Sequence, residues 1–302
     1  MDDYVCEQFQ IVSNWISDEL GSDGNYQIED EHKLNVYCVN NECDGDLDII
    51  NAGCLFLFEK LFGSYGFFNN HNRINIVEYI LIWLSYMLSL KSHDNIVNLE
   101  EFYDQYINHG NEYINSINCD DYNTSYVNLI DKKLDLMNMD IKDISKFYDA
   151  FKSLCDIYSE FDGKTSNCTK CSDEAQEFAK KYDDLNENYN NTKGSPYNKI
   201  LSTLSNDYNN FKNKCNGAQS IKFPTLPTYS RRSVIKKTII SIVFIFVAVS
   251  IFLGIAYKYS LFGRRKRALK QYLREKIKNI KKRMNHSYMI QERDYFRNSN
   301  NG

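Results

Sequence analysis

Proline is almost missing from this chain of 302 residues: only Pro196, Pro224 and Pro227 occur. Helices can therefore run long, because an interior proline removes a backbone donor and clashes with the preceding turn. Alternating apolar and polar residues are also scarce. Only 35–39 reads as a doubtful strand, which argues against a sandwich or a barrel. No glycine-rich phosphate loop, dinucleotide fingerprint, nucleophile elbow or zinc-protease helix is present, so the chain reads as a non-enzyme without a cofactor. The five histidines, His32, His71, His93, His109 and His286, are scattered and form no ligand run. The acidic start MDDYVCEQFQ lacks the basic and apolar regions of a cleaved signal peptide. Any translocation then falls to an internal segment or to a dedicated route.

Against these absences stands one long apolar run. Residues 238–257 carry no charge, and Thr238, Ser241 and Ser250 are their only clearly polar members. As a helix, about 20 residues at about 1.5 Å each cover the roughly 30 Å of a bilayer core. The sequence predicts a single transmembrane helix there. The 20 residues before the run hold five Lys and Arg; the 20 after it hold eight. That excess places the C-terminal side in the cytoplasm and the N-terminal domain outside.

Charge and cysteine divide the chain at the same place. Residues 1–230 contain 18 Lys+Arg and 37 Asp+Glu, or 18 − 37 = −19; residues 231–302 contain 18 and 3, or 18 − 3 = +15. All nine cysteines lie in the acidic part, which fits an oxidising outside and a reducing inside. Nine is odd, so at least one thiol stays free or pairs with another chain.

The acidic part reads as helical. Stripes fall at Val5, Phe9, Val12, Ile16 and Leu20; at Leu47, Ile50, Cys54, Leu57 and Leu61; and at Ile141, Ile144, Phe147, Phe151, Leu154 and Tyr158. A fourth runs through Tyr197, Ile200, Leu201, Leu204, Tyr208, Phe211 and Cys215, with Ser195 and Pro196 as its start signal. Weaker stripes lie near 98–115, 121–137 and 173–189. Residues 74–90 are apolar nearly all round but contain Asn75 and Glu78. A charge in mid-membrane costs about 2.5–3.5 kcal/mol, so this segment is expected to be a central helix enclosed by the others. The organisation expected is an all-α, multi-helix ectodomain over 1–215, an extended stalk over 216–237 containing Pro224 and Pro227, the span at 238–257, and a basic cytoplasmic tail over 258–302.

The stretches YCVNNECDGDLDIINAGCLFLFEKLFG, NIVEYILIWLSYMLSLK, LIDKKLDLMNMDIKDISKFYDAFKSLC, SPYNKILSTLSNDYNNFKNKC and IFLGIAYKYSLFGRRKRALKQYLREKIKNIKKRMNH closely resemble the Plasmodium interspersed repeat (PIR) family, in its rodent-malaria CIR, BIR and YIR branches. The resemblance covers essentially the whole chain. It implies a variant antigen exported toward the infected red cell and its membranes, with a helical, disulfide-containing ectodomain, one transmembrane helix and a short basic tail. Asn is abundant, with 35 residues, beside 23 Tyr, which fits an AT-rich genome. The family's motif cysteines are matched by Cys6, Cys38, Cys43, Cys54, Cys155, Cys168 and Cys215, the candidate disulfide formers; Cys119 and Cys171 are additions.

Other motifs carry less. Cys168 and Cys171 form a C-x-x-C, readable as a redox pair or, with Cys38 and Cys43, as a zinc site; structural disulfides are the simpler reading. Glycosylation acceptor patterns such as those at Asn123, Asn167 and Asn190 are expected by chance in so Asn-rich a chain. In the tail, Leu269, Leu273, Ile277, Ile280 and Met284 share one helical face. Arg264, Arg265, Lys266, Arg267, Lys270, Arg274, Lys276, Lys278, Lys281, Lys282 and Arg283 surround it. The tail serves as a topology signal, and as a helix it suits an anionic leaflet or a protein partner such as host cytoskeleton; nucleic acid is not expected. The ectodomain is expected to hold variable polar connections, at 22–31, 63–72, 92–98, 162–170 and 188–194, for antigenic variation or an unknown host receptor. The alternative is a structural or trafficking component of a parasite-made internal membrane, working through its tail.

Overall fold

The computed structural model describes residues 1–63, 73–94, 96–115, 117–119, 122–161, 168, 171–215, 223–228 and 231–299. The chain divides into two compact units, Met1–Val234 and Ile235–Gly302.

In the first unit, α1 (Asp3–Ser13) starts on Asp2, whose side chain accepts from the Val5 backbone N–H. It is followed by a hairpin, β1 (Ile16–Leu20) and β2 (Tyr26–Ile28), paired antiparallel with Ile16 opposite Ile28. Gly24 takes φ 77° in its turn, a conformation glycine adopts at little cost. Next come α2 (Glu31–Asn35), α3 (Asp46–Phe62) and α4 (Arg73–Leu90). Short elements follow: α5 (Leu99–Phe102) running into a π-helical turn (Tyr103–Ile107), α6 (Asn111–Ile114), and a second hairpin of β3 (Ile117–Cys119) and β4 (Tyr122–Thr124). Then α7 (Tyr126–Ile130), α8 (Leu134–Met137) and α9 (Ile141–Ser145) lead to α10 (Tyr148–Ser159), α11 (Ser172–Asn186) and α12 (Pro196–Cys215). The unit is mostly helical, as its periodicity predicts, with two small hairpins added.

Three expectations change. The first stripe does not continue as helix past Ser13: Ile16 and Leu20 lie on β1. The strand expected at 35–39 is the end of α2 and a turn. The stripe over 141–158 is buried at Ile141, Ile144, Phe147, Phe151, Leu154 and Tyr158, but the helix is interrupted between Ser145 and Tyr148.

The apolar segment 74–90 forms α4, and Ile76 through Ser85 are all buried. It packs on α3 and α9. Lys91, just after α4, pairs with Asp46 at the start of α3 at 2.6 Å, so the two helices run antiparallel. Gly53 permits their close approach: a Cβ there would lie 2.5 Å from Cη2 of Trp83. Two of the polar groups that α4 carries into this core have charged partners. Glu78, 1% exposed, meets Lys133 at 2.5 Å. Tyr79 donates to Asp207 of α12 at 2.6 Å. Asp207 also takes the Met1 amine at 3.0 Å, and its backbone carbonyl accepts from Tyr158.

Six of the seven candidate cysteines form three disulfides: Cys6–Cys155, Cys38–Cys43 and Cys168–Cys215. The seventh departs from expectation. Cys54 is an unpaired, fully buried thiol on α3, and burial pushes it up to about 12. Cys171 is likewise free and buried, pushed up to about 11. The side chain of Cys119 lies outside the described residues.

The stalk also differs. Residues 216–222 and 229–230 lie outside the described residues, but 223–228 pack against the domain instead of standing free. Phe223 is buried, with its ring 6.0 Å from that of Phe211. Tyr208 donates to the Pro224 carbonyl at 2.9 Å, and Asn186 to that of Thr228 at 3.4 Å. Residues 231–237 belong to the following helix.

That helix is α13 (Arg231–Ser299), 69 residues long. Of the run 238–257, side chains are described at 242–255 and 257, and these are exposed. Among the described residues no helix is long and apolar enough to cross a membrane.

Two outcomes follow for stability. Lys133→Met strands a buried carboxylate and is expected to cost about 3 kcal/mol, while Glu78→Met with Lys133→Met is expected to restore stability, since apolar pairs often replace buried ion pairs without loss. Burial raises the Glu78 carboxyl above its ordinary value, with Lys133 opposing. A raised carboxyl stabilises the fold below the usual carboxylate range and loses that contribution as pH climbs through the folded value. Glu78→Gln should therefore gain on the parent as pH rises through that interval in urea titrations. For the disulfides, loop entropy predicts a cost of about 5 kcal/mol for replacing the Cys6–Cys155 pair by serines and about 2 for Cys38–Cys43. Their separations are 149 and 5 residues. Equal midpoints for the two double variants would contradict this.

Candidate interaction surface

Two of the polar connections expected to vary meet at one edge of the domain. Tyr26 on β2 donates to the Met87 carbonyl at 2.7 Å and stands 3.2 Å from His93 Nε2. Lys91 bridges to Asn25 of the hairpin turn at 3.1 Å and to Asp46. Burial raises the Tyr26 hydroxyl far above its usual value and lowers His93. Connections 22–31 and 92–98 are thus tied to each other and to the end of α4. Asn98 closes the second with a reciprocal cap: its side chain accepts from Glu101 N–H, and the Glu101 carboxylate accepts from the Asn98 and Val97 N–H groups.

The connection 188–194 is held by amides. Asn190 donates to Asp143 at 2.5 Å, Asn191 to Asn186 Oδ1 at 2.9 Å, and Asn198 to Asn191 Oδ1 at 2.8 Å. Gly194 takes φ 80°, and Ser195 caps α12 by accepting from Asn198 N–H at 3.1 Å, the role its position before Pro196 predicts. Most of 63–72 and 162–170 lies outside the described residues; Gly63 ends α3, and Cys168 is buried in its disulfide.

A feature that sequence reasoning missed lies on α3 and the turns that follow α1 and α2. Trp15, Tyr37 and Phe56 form an aromatic floor, with Trp15 and Phe56 centroids 4.4 Å apart and Tyr37 and Phe56 5.6 Å apart. It opens as a shallow depression of about 370 Å³, whose charged lining is Lys33 and Lys60. Lys33 sits 6.0 Å from the Trp15 ring and Lys60 5.9 Å from that of Phe56. Beside it projects a knuckle closed by Cys38–Cys43. Val39 there is 82% exposed, and Asn40 and Asn41 both adopt left-handed backbone, φ 55° and 57°. Asparagine tolerates that region better than most residues, so the pair Asn40-Asn41 between two close cysteines was the signal available in the sequence. A rigid, exposed apolar tip beside an aromatic floor is suited to recognition, since little order has to be gained on binding.

The chemistry proposed for C-x-x-C is not assembled. Cys168 is bonded to Cys215, 47 residues away, and Cys38 to Cys43, which leaves neither pair as thiolates for zinc. Among the described residues no group of three or more His, Cys, Asp or Glu is placed to hold a metal. Of the tail's basic residues, Arg265, Lys266, Arg267, Lys270, Arg274, Lys276, Lys278, Lys281, Lys282 and Arg283 are exposed on α13; the Arg264 side chain lies outside the described residues.

Comparison with known proteins agrees with this architecture. A family model described as Plasmodium variant antigen protein Cir/Yir/Bir matches residues 6–258. A solved Plasmodium PIR protein ectodomain is similar in structure, with 31% sequence identity and a TM-score of 0.55, covering 75% of this chain and 99% of that one. Among curated proteins none matches. With a family match through most of its length and a solved relative of the same helical build, this chain belongs to the Cir/Yir/Bir family of Plasmodium variant antigens.

Proposed function

We propose that this chain is a single-pass membrane antigen that presents its helical ectodomain outside, for host interaction or immune evasion, and keeps its basic tail in the cytoplasm. The observation that carries the reading is the partition at the apolar run. All three disulfides lie before residue 238, and no cysteine follows it. Disulfides persist in oxidising surroundings and thiol-free tails suit reducing ones, so the run at 238–257 is the natural boundary. Its length and its flanking charge support a span with the tail inside. The family match continues through this run to residue 258.

The ectodomain supports recognition more than chemistry. Its core is cross-linked and apolar, and its exposed features are polar connections, the aromatic floor and the Val39 knuckle. Such surfaces can change residue by residue while the buried framework stays the same. The partner is an unidentified host molecule.

Protease treatment of intact infected cells tests this reading, with carbonate extraction of their membranes. The expected result is a chain retained in the carbonate pellet whose ectodomain is lost to external protease. Retention with full protection would point to the internal structural or trafficking role. Release by carbonate would remove the span altogether.

A further inference from the structure

We infer that residues 269–288 of α13 lie in the plane of an anionic membrane leaflet with one defined edge in the lipid. The inference rests on the reading of 238–257 as a span, which holds the tail within reach of a leaflet. The structure shows a continuous helix here, with Leu269, Leu273, Ile277, Ile280 and Met284 between 49% and 64% exposed. At about 100° per residue, these five fall within an arc of about 80°.

The register separates lipid from a second copy of the chain. A two-stranded coiled coil needs apolar residues repeating at seven, alternately three and four apart. Leu273, Ile277, Ile280 and Met284 keep that spacing, but the seam runs onto Lys266 and Lys270 before them and onto Ser287 and Gln291 after them. It is thus under two heptads long, short of the three to four that a coiled coil sustains. Leu269, the fifth apolar residue, falls outside it. A flat surface accepts all five residues of the arc without any partner register.

Charge selects the kind of surface. Residues 264–283 hold eleven Lys and Arg and one acid, Glu275, or 11 − 1 = +10. Lys270 and Lys281 border the apolar arc on one side, and Arg265, Lys276 and Arg283 on the other. Long basic side chains so placed cover apolar surface with their stems and reach phosphate with their heads. Each is attracted by the negative surface potential of an anionic leaflet. Tyr272 and Tyr288 sit at the two margins of the arc, the headgroup level that tyrosine favours; Lys276 lies 5.9 Å from the Tyr272 ring. A helix that first spans and then lies flat must bend between 258 and 268. Gly263 is the poorest helix former in that interval.

The test uses the full chain in vesicles of phosphatidylcholine, with or without phosphatidylserine, made with brominated acyl chains that quench tryptophan. Ile277→Trp places a reporter in the apolar arc, and Lys278→Trp one on the opposite face; both positions are exposed, so folding is undisturbed. Trp15 and Trp83 supply a constant background read in the parent. The expected result is loss of the added emission in I277W, only with phosphatidylserine and weakened by salt, with no such loss in K278W. Equal quenching of both reporters overturns the inference. So does I277W emission that shifts to shorter wavelength without lipid, which would mean a protein partner or a second copy. Carbonate flotation of the same vesicles reads the span separately, so failure of the anchor and failure of the tail give different results.

Discussion

A helix that is apolar on every side cannot sit at a surface, and the first unit is organised around enclosing one. From Ile76 to Ser85, α4 has no solvent-facing side chain. Burying a large apolar side chain contributes about 1.5–3 kcal/mol each, so enclosure is strongly favoured once neighbours are available. It also sets conditions on those neighbours. A charged group carried inside gains most from a partner, because leaving it unpaired costs its full desolvation; the smaller polar atoms Trp83 Nε1 and Ser85 Oγ are buried without one among the described residues. Glu78 finds Lys133, which fixes the stretch between α7 and α8. Tyr79 finds Asp207, which fixes α12 and through it the amine of Met1 and the hydroxyl of Tyr158. The first helix, α10 and α12 are therefore tied to α4 through one carboxylate residue. The Cys6–Cys155 bond joins α1 and α10 covalently in the same region.

How much of this was legible depends on which signal each residue gives. Two long helices could be read because their patterns have no other solution. Seventeen apolar-rich residues at 74–90 with a single acid are too short and too polar for a comfortable span, and α12 shows seven apolar residues in helical register behind a proline start. The first stripe misled for a definite reason. Val12, Ile16 and Leu20 are spaced by four, and four is an even number, so the same residues share one face of a strand as well as of a helix. Ile16 is buried either way. The break between α9 and α10 left no trace in the stripe because Lys146 and Phe147 remain in right-handed helical conformation. Pairing of cysteines was not legible at all, since it depends on which segments the tertiary fold brings together. Cys54 shows the limit of matching by family pattern: it sits on the inner face of α3, where burial suits a thiol without any bond.

The candidate surface divides in the same way. Polar connections announced themselves by composition, and 188–194 is a turn of hydrogen-bonded asparagines. The aromatic floor did not, because Trp15, Tyr37 and Phe56 come from three separate elements, and each alone reads as an ordinary core residue. Only the close cysteines around Val39-Asn40-Asn41 marked the place in sequence. A disulfide over so few residues adds less to global stability than the Cys6–Cys155 bond, but it limits the conformations of the knuckle that it closes. Its effect is on the shape presented at the surface.

The segment 223–228 shows how a reading from proline alone falls short. Proline excludes helix and strand interior, and that is as much as Pro224 and Pro227 can say. An unattached stalk and a docked strap satisfy them equally. The difference is made by Phe223, which the domain buries, and Leu226, which packs against it. The strap runs from the level of Phe211 to that of Asn186, back along α12 toward its start. Packing on the domain thus continues past Cys215 to Thr228, whose carbonyl accepts from Asn186. Asn186, which holds Thr228, also accepts from Asn191 of the connection 188–194, so that connection and the strap share a partner. The knuckle at Val39 and the edge formed by Tyr26, Lys91 and His93 lie on other segments, the turn after α2, β2 and the end of α4, and none of them shares the strap's hydrogen bonds.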